Sequence, residues 1–252
     1  MRKIYLLPAL VGLLTSVAAG PLGAQGAVPK QKAAPAPRAA AAGAPAAAGV
    51  PAGATSTAAA EAPAAGEDKA AKAIDGFRSA KFGMSETDVR AAMTKDFGAK
   101  PDAIKIQDNA SELTRSLLLS APELLPNGGT AELSYVFGYK SKSLIQVGAV
   151  WSKAADTAMT PEKLFSNANI LRAHFMGEGF KPDSVAVNMP VAGGIVMFRG
   201  SDAKDHSVIL LLQGTFENKE NNQRLLTPTS LLLFYVADAK SPDIFKLPPG
   251  QF

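Results

Sequence analysis

The stretch "AELSYVFGYKSKSLIQVGAVW", residues 131–151, decides how this chain folds. Two apolar runs, 131–139 and 144–151, flank the polar segment Lys140-Ser141-Lys142-Ser143. Side chains alternate between the two faces of a strand, so such a pair reads as an antiparallel hairpin. In the second run Ile145, Val147, Ala149 and Trp151 fall on one face, alternating with residues such as Gln146 and Gly148. In the first, Tyr135, Phe137 and Tyr139 share a face.

Moving toward the C-terminus, the period changes from strand to helix. Thr160 is a plausible N-cap and Pro161 stands at the first helical position, where its missing N–H costs nothing. Leu164, Ala168, Leu171 and Phe175 trace one helical stripe, and Gly177 or Gly179 ends it. Strands are then expected near 183–189, 193–199, 207–215 and 229–237, with the polar loop "ENKENNQR" between the last two. The run 230–236 is too short to span a membrane as a helix and reads as a buried strand.

On the N-terminal side, "GFRSAKFGMSETDVRAAMTKDFG" (76–98) carries a second helix, expected over 85–97. Ser85 is a good N-cap and Asp88, three residues on, completes a capping-box-like pair. Met84 and Val89 stand at hydrophobic-staple positions, Val89, Ala92, Met93 and Phe97 recur at helical spacing, and Gly98 stops the helix. Phe77 and Phe82 precede it as apolar anchors. After Pro101, Ile104 and Ile106 alternate with lysine as a short edge strand, and 114–119 is a stronger strand ending in the turn region "SAPELLPNGG". The order is helix, strands, helix, strands. That is α+β: an antiparallel sheet with two main helices packed on one face. The repeated order is compatible with two related α-β-β-β halves, although no convincing sequence repeat stands out.

The segment "FRSAKFGMSETDVRAAM" (77–93) resembles the opening of small periplasmic modules, which start with a Phe-Gly-Met-Ser/Thr-x-x-x-Val helix and continue into an antiparallel meander. It is similar to the outer-membrane assembly lipoproteins of the SmpA/BamE type and to the β-lactamase-inhibitor-like fold they share. It also looks like exported proteins of an alphaproteobacterial type. The resemblance implies a non-enzymatic binding module of the cell envelope, with no particular partner. This chain lacks the lipobox cysteine of those lipoproteins, and its strand region is longer.

The first 66 residues read as an address and a tether. Arg2 and Lys3 precede the apolar run 4–19, and small residues crowd 18–27, which is the layout of a signal peptide over 1–26. Val17-Ala18-Ala19 and Ala24-Gln25-Gly26 both offer a cleavage site. Residues 27–66 are mostly Ala, Pro and Gly, without the large apolar side chains that offset conformational entropy, so a disordered tether is expected. One globular domain, 67–252, follows. The expected location is the periplasm or the exterior, with no integral membrane span in the mature chain.

Charge and chemistry narrow the function. Of 26 Lys+Arg and 22 Asp+Glu, five bases and one acid fall in 1–66, so the domain carries 21 of each. A formally neutral domain with interspersed charges lacks the basic stripe that nucleic acid requires. The chain has no cysteine, which removes disulfides, thiolate nucleophiles and cysteine zinc sites. Its two histidines are isolated: His174 reads as a helix-surface or boundary residue, and His206 in "SDAKDH" as a solvated turn residue. No serine-elbow, phosphate-loop or paired-carboxylate pattern occurs. No catalytic, cofactor or metal residue is therefore nominated, and no cofactor is expected. Two features remain for recognition: Trp151, the only tryptophan, and the Tyr135/Phe137/Tyr139 row. Each reads first as core, with an exposed binding stripe as the alternative. The leading expectation is a non-enzymatic envelope interaction module with an envelope protein as partner. The rivals are a protein that holds a small ligand or peptide between sheet and helices, and an enzyme of unrecognised type. Partner identity and oligomeric state stay open.

Overall fold

The hairpin of residues 131–151 lies at the middle of an eight-stranded antiparallel sheet in the computed structural model, which describes residues 73–218, 224–247 and Gly250. The expected leader and tether lie outside the described residues, as does most of the "ENKENNQR" loop. The first elements are a two-residue hairpin, β1 (Gly76–Phe77) and β2 (Ala80–Lys81). Helix α1 (Glu86–Phe97) follows. Then come β3 (Lys105–Asn109), β4 (Thr114–Ala121), β5 (Ala131–Phe137) and β6 (Leu144–Ser152). Helix α2 (Pro161–Met176) leads to β7 (Ala186–Val191), β8 (Gly194–Ser201), β9 (Ser207–Asn218) and β10 (Arg224–Val236).

The strand order is β3-β4-β5-β6-β10-β9-β8-β7. Each half is a helix followed by a four-stranded antiparallel meander, one strand more than an α-β-β-β unit. The halves meet along their last strands, where Leu231 pairs with Trp151, Leu233 with Ala149 and Tyr235 with Val147. The fold is therefore α+β, with two helices packed on the sheet.

Helix boundaries follow local chemistry. The Ser85 hydroxyl accepts from the Asp88 N–H and the Asp88 carboxylate accepts from the Ser85 N–H, a reciprocal capping box. Gly98 adopts φ 63° and closes the helix in the left-handed conformation. Thr160 caps α2 through Lys163 N–H, with Pro161 at the first position.

Two irregularities alter the sequence pattern. A register shift between Val136 and Phe137 pairs Phe137 with Leu144 and Val136 with Gln146. The extra residue, Ile145, is left out of the ladder, so Leu144 and not Ile145 joins Val147, Ala149 and Trp151 in the core. Further on, β10 begins earlier than its apolar run because a second shift, between Pro228 and Ser230, accommodates the proline.

One apolar cluster fills the space between helices and sheet. Val89 and Met93 of α1, Leu164, Ala168 and Phe175 of α2, and Tyr135, Trp151, Leu210 and Leu231 of the strands all belong to it. The opposite sheet face carries a second cluster of Val196, Ile209, Leu211, Leu232, Phe234 and Val236. The central strand β10 is thus apolar on both faces, which explains its continuous run of large side chains. Among the described residues, no helix is long and apolar enough to cross a membrane.

Candidate functional site

The two-residue loop between β1 and β2, Arg78-Ser79, brings a cation over an apolar cleft. Arg78 holds φ 52° at the first loop position, where such turns favour glycine. Its guanidinium lies 4.6 Å from the ring centre of Phe97 and 5.7 Å from that of Phe77, and it donates a long hydrogen bond (3.4 Å) to the Asp96 carbonyl. Among the described residues it meets no carboxylate at ion-pair distance.

The cleft has a volume of about 350 Å³. Its floor is Trp151 of β6 with Leu233 and Tyr235 of β10; its walls are Phe77, the loop leucines Leu124 and Leu125, and Ile170, Leu171, His174 and Phe175 of α2. A layer of rings supports it. Phe77 meets Tyr235 at 5.4 Å, Phe175 stacks on Phe198 at 5.4 Å, and Phe175 meets Tyr235 edge-on at 6.4 Å. Burial, with the nearby Glu178 charge, pushes the Tyr235 phenol up to about 12. The Trp151 Nε1–H and the Tyr135 hydroxyl are buried and have no hydrogen-bond partner among the described residues. Burial raises the Tyr135 phenol as well, Asp96 adding to the effect and Arg78 opposing it.

Two other clefts carry more charged and polar residues. One of about 590 Å³ lies between the start of α1 and the β3–β4 hairpin. Three of its charges are paired, Glu86 with Arg90 at 2.7 Å and with Arg115 at 3.9 Å, and Arg115 with Asp108 at 2.8 Å, while Lys142 lies over the Tyr139 ring. The other, about 520 Å³, is bordered by Tyr139 and the C-terminal stretch that Asp243 pins by accepting from the Lys140 and Ser141 N–H groups. Small-molecule sites are mostly apolar with a few placed polar groups, and the Trp151 cleft has that character most clearly of the three.

The residues singled out in the sequence separate here. Trp151 and His174 come together at the cleft; His174 is exposed, 3.4 Å from Glu178. Tyr135 and Phe137 are core, but Tyr139 lies beyond the end of β5, packed edge-on against Phe245, so the aromatic row does not persist. His206 is no solvated turn residue. Its side chain is only 20% exposed, its Nδ1 lies 2.6 Å from the Ile74 carbonyl, and its ring meets Phe82 edge-on. The adjacent Asp202, buried, accepts from the N–H groups of Ile74, Lys204 and His206. This pair clasps the two ends of the β1–β2 hairpin, at Ile74 and Phe82. Among the described residues no group of three or more histidines and carboxylates is placed to hold a metal.

Sequence reasoning missed Arg78, the Leu124-Leu125 pair and Ile170. The available signals were two large apolar residues inside a turn region and an isoleucine off the buried stripe of α2. No family model, curated protein or solved structure matches the chain.

Proposed function

We propose that this chain is an exported, non-enzymatic binding module of the cell envelope that engages its partner at the Trp151 cleft. The observation that carries the reading is an aromatic-floored apolar cleft with, at its rim, the Arg78 guanidinium, which meets no described carboxylate at ion-pair distance. The side chain of Ile170 stands at that rim, 49% exposed. Exposed apolar side chains at the mouth of a cleft give a partner hydrocarbon surface to bury. The signal-peptide layout of residues 1–26 and the resemblance of residues 77–93 to envelope assembly modules support the location.

The test is cross-linking and affinity capture from the native envelope, with the wild-type chain beside Ile170→Glu. The wild type is expected to bring down a reproducible partner that Ile170→Glu loses. Equal capture by both proteins would remove the cleft from the account.

A second reading rests on one observation, the cleft volume of about 350 Å³, which suits a small molecule. Here the occupant is a small ligand and not a protein.

A further inference from the structure

The cleft combines four features that together specify the chemistry of an occupant. It has room for a small molecule, since about 350 Å³ falls within the roughly 300–1,000 Å³ of such sites. Its walls are mostly hydrocarbon and aromatic, from Phe77, Leu125, Ile170, Leu171 and Phe175, with His174 and Tyr235 adding the polar side chains besides Arg78. Its rim bears Arg78, whose charge faces two aromatic rings and a carbonyl and is paired with no described carboxylate. Its floor is the fully buried Trp151, so an occupant lies over the indole without reaching its N–H.

A guanidinium stacked on rings keeps its in-plane donors free, and those donors match a carboxylate fork. Arg78 is exposed, so water solvates its charge in the free protein, and an anion at the rim would exchange that water for a charge-assisted hydrogen bond. An apolar body alone would gain nothing from Arg78, and a cationic head would be repelled by it.

Resting on the reading of the cleft as the binding site, we propose that its occupant is a single-chain anionic amphiphile: a hydrocarbon tail over Trp151 with a carboxylate head on Arg78. The tail displaces water from the walls formed by Leu125, Ile170 and Leu171. Arg78 supplies the sign selectivity. Trp151 lies beneath the tail, so occupancy changes the surroundings of its indole.

Because Trp151 is the only tryptophan, its emission reports on this cleft alone. The experiment titrates the protein, purified after export, with decanoate and with decyltrimethylammonium, both below their micelle concentrations. Decanoate is expected to give a saturable change in Trp151 emission at least tenfold tighter than the cation. Arg78→Gln should weaken decanoate at least fivefold and bind the cationic probe no more weakly than the wild type does, while Arg78→Lys should recover part of the decanoate loss. Near-ultraviolet circular dichroism confirms that each variant is folded. No saturable change, equal affinity for the two probes, or decanoate binding indifferent to Arg78→Gln would each overturn the proposal. The two claims fail separately: decanoate can fail while capture through Ile170 persists, which removes the ligand class and keeps the binding reading. Capture that ignores Ile170→Glu removes the reading itself.

Discussion

At the scale of the residue, the most informative atoms are two buried donors without partners among the described residues, Trp151 Nε1 and Tyr135 Oη. A buried hydroxyl with no partner costs its desolvation without recovering a hydrogen bond. Tyr135→Phe should therefore leave stability unchanged or raise it by up to about 1 kcal/mol, read from urea midpoints at constant slope. A clear loss would show that the phenol has an acceptor. Asp205 behaves oppositely. Hydrogen bonds from Lys181 and Lys240 pull its carboxyl down from 3.8 to about 2. A depressed folded value means that its contribution is present above the unfolded value and fades as pH falls toward about 2. Asp205→Asn should abolish that part of the acid dependence, so the wild-type and mutant melting temperatures converge at the acid end. Parallel curves down to the lowest pH would contradict the assignment. The burial of Trp151 was legible in the sequence because it continues an alternating strand face. The free N–H was not, since partners of a core donor come from residues far away in sequence.

At the scale of the element, the two helices were readable almost to the residue, because Ser85, Asp88, Gly98, Thr160 and Pro161 act locally. Ser85→Ala should cost about 1 kcal/mol in chemical denaturation; a neutral result would mean that α1 is held by tertiary packing alone. The β1–β2 hairpin was hidden, for its strands are two residues long and its turn carries Arg-Ser in place of glycine or asparagine. What holds this segment is tertiary: the Asp202 carboxylate on Ile74 and the His206 ring on Phe82. Asp202→Ala strips an acceptor from three backbone donors and should destabilise the protein by on the order of 2–4 kcal/mol. Hydrogen exchange should show the earliest loss of protection at residues 74–82. Uniform loss across the sheet would argue against a local clasp. The Ile145 bulge likewise escaped the alternating pattern, since one unpaired residue shifts the face of Leu144 without changing composition.

At the scale of the molecule, two helix-plus-meander halves share one sheet and one core, joined where β6 meets β10. The cleft exists only because they are joined. Trp151 comes from one side of that seam and Leu233 from the other, while Leu125 precedes β5 and Phe175 belongs to α2. Composition and period were enough to foresee an antiparallel α+β fold, whereas a site assembled from five separate segments leaves no contiguous motif. A continuous core predicts cooperative unfolding, with calorimetric and van't Hoff enthalpies equal; two resolved transitions would mean that the halves are independent. The central claim is that the surface over Trp151 is where this protein meets its partner. Its most direct test is photo-cross-linking in living cells from a benzoylphenylalanine placed at Ile170, compared with one at Ile106, which is 54% exposed on the opposite half's edge strand. The account predicts a discrete adduct from position 170 and none from 106. Identical adducts from both positions, or none from 170, would contradict it.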